Sequence, residues 1–274
     1  DLTKRFFTPR GLAVLNDRLA ELARVAADEM VERGGECDFA EDIAMQYPMR
    51  VILALLGLPD EDHPLMLRLT QQMLCPSDPE FAVFEGATSG ETFANSVQEF
   101  FEYFLAVRAD RRANPRDDLA TLIATADIPS LDLAELPMAE AVGYYVIFAV
   151  AGHDTSASSI AAGMRALIEH PDQLQRLRDD PSLFSSASED IIRWASPSRH
   201  FLRTAAHPTT IGNVEFAAGE NVFMSWPSAN HDPEVFDQPD VFDIGRYPNP
   251  HLSFGHGPHF CLGAHLARME LNAV

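Results

Sequence analysis

The side chains best suited to chemistry lie near the end of the chain, in FGHGPHFCLGAHLARME from Phe254 to Glu270. One cysteine, Cys261, follows a tight loop imposed by Gly255, Gly257 and Pro258, and a helical pattern begins after it. Glycines let the backbone approach a flat object closely. The unpaired N–H groups at a helix N-terminus also favour a thiolate over a thiol. The pattern therefore favours a reactive or ligand-binding thiolate.

Several readings of this cysteine stay open on the residues alone. Gly263, Ala264 and Ala267 give the following helix a bare face, which suits a large planar ligand lying beside a thiolate. A nucleophilic cysteine needs a base beside it, and His259 and His265 are available for a cysteine hydrolase. A lone cysteine also often acts as a small buried hydrophobic residue.

A second polar group lies inside a long apolar segment, in AVAGHDTSASS at 149–159. Gly152 costs about 1 kcal/mol relative to alanine within a helix. Asp154, Thr155 and Ser156 compete with the helical backbone through their own side chains. Poor helix formers at a buried midpoint often mark function, so Asp154 and Thr155 are candidates for a proton relay to a small ligand. The alternative is a kinked core helix whose Ser and Thr bond back to their own carbonyls.

The elements that carry these groups are mostly helical. The strongest pattern runs from Pro137 to Glu169, about 50 Å at 1.5 Å per residue, and His170-Pro171 ends it. Two earlier segments show apolar residues at helical spacing. These residues are Leu12, Leu15, Leu19, Leu22, Val25 and Ala26, and then Phe93, Val97, Phe100, Phe101, Phe104 and Leu105.

After Pro197 the pattern changes to short alternating segments broken by Gly212 and Gly219, which predicts strands and hairpins. A turn-rich stretch follows from Ser228 to Phe260, and its aromatic residues favour a packed loop. They are Phe236, Phe242, Tyr247 and Phe254. The sequence therefore predicts one domain over residues 1–274, mainly α with a small β part.

Composition excludes several classes of function. The net charge of -21 repels phosphates and anionic lipid surfaces, so neither nucleic acid nor membrane is an expected partner. No stretch reaches the ~18 apolar residues of a membrane span. Three widely spaced cysteines, Cys37, Cys75 and Cys261, form neither a disulfide framework nor a zinc motif. A reducing cytoplasm is the expected location.

Together the two polar stretches resemble those of the cytochromes P-450. The chain matches the heme-binding signature F-G-x-G-x-H-x-C-x-G at Phe254, Gly255, Gly257, His259, Cys261 and Gly263. AGHDT, from Ala151 to Thr155, is similar to the oxygen-activating motif A-G-x-D-T of the family's long central helix. The resemblance implies the cytochrome P-450 fold, with that helix over a heme. It also implies that the family's N-terminal β region and C-terminal hairpin lie outside residues 1–274.

The resemblance assigns roles around the cofactor, heme b. Cys261 resembles the axial thiolate ligand of the heme iron, whose electron donation favours O–O cleavage. His259 and Arg203 resemble the family's partners of the heme propionates. Arginine suits a carboxylate because it can donate two parallel hydrogen bonds to it. An exposed strand charge is the alternative for Arg203. The resemblance gives the other cofactor-binding positions as Phe254, Gly255 and Gly263.

On the oxygen side, Thr155 would hold dioxygen and its water, and Asp154 would admit protons. The resemblance also places Ala151 and Gly152 in this catalytic group, because they belong to the same A-G-x-D-T motif. The expected substrate wall comes from the long helix and from the segment after Pro197. Its residues are Ile147, Val150, Ala151, Arg199 and Phe201. Arg199 has two readings, binding of a substrate hydroxyl or carboxylate, and orientation toward solvent.

One position departs from the family pattern. The family motif E-x-x-R here reads Asp190, Ile191, Ile192, Arg193. Asp190 can still reach Arg193 at i,i+3, although its side chain is about 1.5 Å shorter. We expect Asp190, Arg193 and Arg246 to form a triad that pins the irregular loop. The rival is a surface pair between Glu189 and Arg193.

The implied function is that of a monooxygenase. It would insert one oxygen atom of O2 into a C–H bond of a small apolar substrate, resembling soluble bacterial members that act on terpenoids or steroid-like lipids. The resemblance implies that electrons come from a ferredoxin and its ferredoxin reductase. No G-x-G-x-x-G signature is present in the sequence, so reduction is expected to come in trans. The alternatives are a peroxide-dependent peroxygenase and a heme-binding protein without turnover. A monomer is expected.

Overall fold

A computed structural model describes the chain at residues 2–34, 36–127 and 135–274. These residues form two compact units. The first unit contains Asp1–Ala157 and Leu262–Val274, and the second contains Ser158–Cys261. The single domain expected over residues 1–274 stays a prediction.

The first unit is built from helices. They are α1 (Pro9–Leu12), α2 (Asn16–Glu32), α3 (Gln46–Leu56), α4 (His63–Leu74), α5 (Ser89–Ala113), α6 (Leu119–Ala124), the first part of α7 (Met138–Glu169) and α11 (Ala264–Ala273). A turn of π-helix, Ala40–Ala44, precedes α3.

Local sequence explains where these helices begin and end. Thr88 and Glu91 form a reciprocal capping box that starts α5, satisfying backbone N–H groups that the first turn leaves unpaired. The Asp118 side chain caps α6 by accepting a hydrogen bond from the Thr121 N–H. Gly57 ends α3 in the left-handed conformation at φ 65°, which costs glycine little because it has no Cβ atom.

Aromatic residues fill the core between α5 and α7. Phe104 is fully buried and stacks on Tyr145 at 5.1 Å between ring centroids, while the Tyr145 hydroxyl donates to the Ala120 carbonyl at 2.8 Å. Phe100 is also fully buried beside Phe104. The segment predicted to be helical by these phenylalanines is confirmed as α5.

The longest helix, α7, confirms the segment predicted from Pro137 to Glu169. It runs without interruption through Gly152, Asp154 and Thr155. Thr155 Oγ1 donates to the Ala151 carbonyl at 2.9 Å. The hydroxyl therefore bonds back to its own helix. The role of Thr155 in oxygen binding stays a prediction.

The second unit combines helices with two small antiparallel sheets. Its further elements are α8 (Pro171–Asp179), α9 (Phe184–Ala195), β1 (His200–Thr204), β2 (Thr209–Ile211), β3 (Val214–Phe216), β4 (Asn221–Ser225) and α10 (Trp226–Asn230). Strand β1 pairs with β4 from His200↔Ser225 to Thr204↔Asn221, and β2 pairs with β3. The predicted class, mainly α with a small β part, is confirmed.

The core of the second unit holds the turn-rich stretch against α8 and α9. Phe242 and Ile244 are buried with Leu177 and Ala187, and Trp194 packs against them. Phe236 is also buried, so the stretch is packed as expected there. Tyr247 differs from the expectation because it is 94% exposed. Aromatic composition alone did not distinguish it from its buried neighbours.

None of the helices in the described part of the chain is long and apolar enough to cross a membrane.

Candidate functional site

The loop that bears Cys261 is held by its own backbone. The Cys261 N–H donates to the Phe254 carbonyl at 2.8 Å, and the Gly255 N–H donates to the Leu252 carbonyl at 2.8 Å. Gly255 and Gly257 take φ angles of 72° and 67°, which residues with a Cβ atom rarely adopt. The glycine spacing thus fixes a turn that presents the cysteine.

Cys261 is exposed, three residues before α11 begins at Ala264. His259 and Phe260 on the same loop are also exposed, and Phe260 has 52% of its surface accessible. Phe254 is partly buried, with its ring 5.6 Å from His251 and 6.1 Å from Phe260 between centroids. The loop therefore exposes a thiol, an imidazole and an aromatic ring within three consecutive residues, 259–261. Gly263 is the N-cap residue of α11.

Arg203 lies on β1 of the same unit. It is exposed, and its Nη1 donates to the Leu202 carbonyl at 3.0 Å. Among the ion pairs formed by the described residues, none involves Arg203. Its guanidinium can therefore receive an external carboxylate, and the assignment to a heme propionate stays a prediction.

Asp190 is fully buried between two arginines. Its Oδ1 accepts from Arg193 Nε at 2.5 Å and from Arg246 Nε at 3.0 Å, and its Oδ2 accepts from Arg193 Nη2 at 3.3 Å and from the Asp243 N–H at 2.8 Å. The structure therefore brings the three predicted triad residues together. Glu189 lies instead 3.1 Å from His251 Nε2, so it does not form the rival pair with Arg193.

The two arginines tie the triad to backbone carbonyls of the turn-rich stretch. Arg193 Nη1 donates to Asn230 and Pro239, and its Nη2 donates to Val241, at 2.8–3.1 Å. Arg246 donates to the carbonyls of Asp237, Gln238 and Val241. The shorter aspartate can still form the triad, because the long side chains of Arg193 and Arg246 extend to its carboxylate.

Asn230 is a buried hub that the sequence did not reveal. Its Nδ2 donates to Ser196 Oγ and to Ser253 Oγ at 2.8 Å, and its Oδ1 accepts from the Leu252 N–H at 2.7 Å. Ser253 Oγ in turn donates to the Ile192 carbonyl. These bonds fix Leu252 and Ser253, which directly precede Phe254. Asn230 therefore stabilises the start of the cysteine loop. Asn230 begins the segment NHDP, whose residues are typical of a turn. The sequence therefore gave no sign that Asn230 is buried and bonds to other segments.

The middle of α7 carries the predicted acid and alcohol in the first unit. Asp154 and Thr155 are half-buried, while Ala151 is exposed one turn before Thr155. Ile147 is 53% exposed one further turn back, so one stripe of the helix is accessible. Gly152 lies beside Ile52, which packs against it.

The predicted substrate residues have different environments. Ile147 and Ala151 share the accessible stripe of α7, whereas Val150 is 8% exposed and belongs to the core. Adjacent helix positions lie about 100° apart, which explains the difference. Arg199 is exposed and Phe201 is 49% exposed, with its ring 6.0 Å from that of Trp226. Their assignment to a substrate wall stays a prediction.

His153 is a further buried group within the same motif. Its Nε2 donates to the Met45 carbonyl at 2.8 Å, and its Nδ1 has no hydrogen-bonding partner among the described residues. Burial lowers the pKa of His153, against the opposing effects of that hydrogen bond and of Asp154. The imidazole therefore joins α7 to the start of α3 in its neutral form.

A mostly helical protein with an exposed cysteine on a glycine-rich loop has the features expected of a heme-thiolate protein. Comparison with known proteins agrees. The family model "Cytochrome P450" matches residues 188–274. "Cytochrome P450-terp" from Pseudomonas sp is 38% identical over 275 residues, which cover 98% of this chain and 64% of that protein.

Two further relatives cover nearly the whole chain. "Steroid C26-monooxygenase" from Mycolicibacterium smegmatis is 36% identical over 275 residues, covering 100% of this chain and 61% of that protein. The crystal structure of P450BioI in complex with hexadec-9Z-enoic acid ligated Acyl Carrier Protein superposes with a TM-score of 0.87 and 32% identity, covering 99% of this chain and 68% of that one. The chain belongs to the cytochrome P450 family. It spans about two thirds of the length of these relatives.

Members of this family are heme-thiolate proteins with heme b. The residues of the cysteine loop fit that cofactor. The exposed thiol is a soft ligand suited to iron, and the exposed Phe260 is apolar surface that a macrocycle would cover. A Cβ atom on Gly257 would meet no heavy atom within 4 Å, so the loop leaves open space at that position. The cationic Arg203 and the imidazole of His259 suit the propionate groups.

Proposed function

We propose that the protein is a heme-thiolate monooxygenase that inserts one oxygen atom of O2 into a C–H bond of a small apolar substrate. The reaction consumes O2, two electrons and two protons, and it yields the alcohol and one water molecule. The observation that carries the proposal is the exposed Cys261 on a loop whose backbone is fixed by Phe254. When bound, the heme supplies the activation of O2.

The chain's own residues divide the remaining tasks. Cys261 would hold the iron as a thiolate, and Phe254 would pack near the sulfur. Arg203 and His259 would donate hydrogen bonds to the propionates and so orient the cofactor. The buried triad around Asp190 holds the turn-rich stretch before the cysteine loop through the carbonyls of Asn230, Asp237 and Pro239.

Proton supply is the task of the acid and alcohol on α7. The Thr155 hydroxyl now donates to the Ala151 carbonyl, so its oxygen can accept a hydrogen bond from a polar ligand. Asp154 is half-buried, which gives its carboxylate access to solvent protons. Their presence favours the use of O2 over the use of peroxide, because a peroxide-dependent enzyme needs no delivery of two protons.

For the substrate we propose a terpenoid or a steroid-like lipid. Two relatives support an apolar molecule by their names, "Cytochrome P450-terp" and "Steroid C26-monooxygenase". The apolar residues Ile147 and Phe201 would contact the hydrocarbon skeleton. Arg199 would donate to a hydroxyl or carboxylate of the substrate.

The electron donor in this proposal is a ferredoxin with its reductase, which soluble bacterial members of the family generally use. The cytoplasmic location and the monomeric state belong to the same proposal, and the location rests on the cysteine usage of the sequence.

Two experiments, carried out one after the other, test the proposed function. The absorption spectrum of the reduced protein under carbon monoxide should show thiolate-ligated heme, and a colourless protein that thiol alkylation inactivates would indicate the cysteine hydrolase. Substrate-dependent O2 consumption with a generic ferredoxin and reductase should then accompany formation of the alcohol. Heme without turnover would indicate a heme-binding protein, and turnover with hydrogen peroxide alone would indicate a peroxygenase.

The substrate is tested separately by adding candidate terpenoid and steroid alcohols and recording the heme spectrum. We expect a shift to the high-spin form with a binding alcohol, and we expect Arg199→Leu to abolish it. Retention of the shift in Arg199→Leu would assign Arg199 to solvent.

A further inference from the structure

A buried carboxyl group with no role in the proposed reaction lies on α11. Glu270 is 1% exposed and forms a hydrogen bond with Ser156 of α7. Tyr47 of α3, which is fully buried, interacts with the same carboxyl group. Glu270, Ser156 and Tyr47 thus form a polar cluster in which three helices of the first unit meet. We refer to these three residues as the α11 cluster.

The α11 cluster contains no cation. Among the ion pairs formed by the described residues, none includes Glu270. Neither Glu270 Oε2 nor the Tyr47 hydroxyl has a hydrogen-bonding partner among the described residues. An ionised carboxylate without a cation is strongly disfavoured in such a place, whereas a neutral carboxylic acid is tolerated.

The titration behaviour agrees with the geometry. Burial raises the pKa of Glu270 to about 8, although the hydrogen bond from Ser156 opposes the shift. Burial, with a smaller effect of Glu270, also raises the pKa of Tyr47, so the phenol stays neutral over the same range. Helix α2 packs against α11, while α3 and α7 contribute Tyr47 and Ser156. Among the described residues, no charged side chain shifts the pKa of Glu270. Tyr47 is the titratable group that faces it.

We infer that the α11 cluster is a pH-sensitive lock, in which a neutral Glu270 at pH 7 holds α11 against α3 and α7, and in which ionisation of Glu270 loosens that packing. The device is independent of the proposed reaction. It would set an alkaline limit on the stability of the helix that follows the cysteine loop.

The sign of the pH dependence follows from linkage. In the unfolded chain the carboxyl group titrates near its ordinary value of 4.5, and in the folded protein it titrates near 8. Between these values the folded protein binds one proton more than the unfolded chain, so its stability falls as the pH rises. Below pH 4.5 the contribution is fully present, and above about 8 it is lost.

The test compares the holoprotein with the variant Glu270→Gln, which keeps the shape and hydrogen-bonding capacity but cannot ionise. Thermal unfolding is measured from about pH 5 to about pH 9. We expect the Tm of the wild type to fall relative to that of the variant by roughly 10 °C over this range. A Tm difference that is constant with pH would overturn the inference.

Infrared spectroscopy gives a second readout that does not depend on the stability of the variant. The wild type should show the carbonyl band of a protonated carboxylic acid at pH 7, and this band should disappear with a midpoint near pH 8. Ser156→Ala removes the bond that favours the ionised form, so the midpoint should move upward, whereas Tyr47→Phe should retain a band at pH 7. Absence of the band at pH 7 in the wild type would overturn the inference.

Discussion

The Cδ1 atom of Ile52 lies 2.5 Å from the position that a Cβ atom on Gly152 would occupy. Real Cβ atoms do not approach other carbon atoms so closely, so a Cβ atom at residue 152 would force the Cδ1 end of Ile52 on α3 to move. The neighbouring His153 also joins α7 to the segment before α3, through its bond to the Met45 carbonyl. Gly152 therefore has a packing role in the middle of α7, alongside any role in binding oxygen.

This contact predicts that Gly152→Ala destabilises the protein. Alanine gains about 1 kcal/mol of helix propensity, but overpacking against Ile52 costs about 1–3 kcal/mol, so a net loss of up to ~2 kcal/mol is expected. The double variant Gly152→Ala/Ile52→Val removes the clashing Cδ1 atom and should recover most of that loss. Denaturant unfolding of the four proteins in a double-mutant cycle measures the coupling. An additive cycle would show that Ile52 does not set the requirement for glycine.

The triad predicts a defect in heme retention. Asp190→Ala leaves two arginines near each other in a buried site without their carboxylate, which typically costs about 3–5 kcal/mol. The loop that Arg193 and Arg246 hold should loosen, and heme should be lost on purification. The ratio of heme to protein measures this effect. Glu189→Ala, which removes the neighbouring carboxylate on α9, is the matched control and should retain heme; full retention in Asp190→Ala would count against the triad.

Helical spacing was visible in the sequence for α2, α5 and α7, but the side of the helix that would be buried was not. On α5, Phe100 and Phe104 are buried, whereas Phe93 and Phe101 are 46% and 40% exposed. The buried and the exposed phenylalanines both follow helical spacing, so the sequence pattern does not tell which of them face the core. The choice depends on Tyr145, which comes from a distant part of the chain and stacks on Phe104.

The candidate site was predictable to a similar extent. The loop around Cys261 and the i,i+3 register of Asp190 and Arg193 are local patterns, and both are visible in the sequence. Arg193 and Asn230 act on backbone carbonyls and N–H groups of other segments. Backbone groups are the same at every residue, so such partners leave no trace in composition or spacing.

Removal of the proposed iron ligand should abolish the thiolate spectrum. Cys261→Ser replaces a soft sulfur ligand with a weakly coordinating hydroxyl, so the reduced protein under carbon monoxide should lose the thiolate band. Cys37→Ser alters a partly exposed cysteine in the first unit and serves as the control. A thiolate band that persists in Cys261→Ser would assign the ligand to another residue.

We expect substitution of Thr155 to uncouple oxygen consumption from product formation. Thr155→Ala removes the hydroxyl and should lower the yield of alcohol per O2 at least about tenfold, because general acid catalysis typically contributes about 10²–10⁴-fold. Oxygen uptake should continue and yield hydrogen peroxide. Thr155→Ser keeps the hydroxyl and should retain most of the coupling. Equal yields from Thr155→Ala and the wild type would remove Thr155 from the proton supply.

His153 predicts a loss of stability in acid. Because burial lowers its pKa, the unfolded chain takes up a proton first as the pH falls through the ordinary value of 6.5. The stability that the neutral imidazole contributes is therefore present above pH 6.5 and is lost progressively below it. His153→Gln can still donate to the Met45 carbonyl but does not titrate, so its unfolding free energy should fall less between about pH 7 and about pH 5. Parallel curves for the two proteins, measured by denaturant unfolding at each pH, would show that His153 charges as readily in the folded protein as in the unfolded chain.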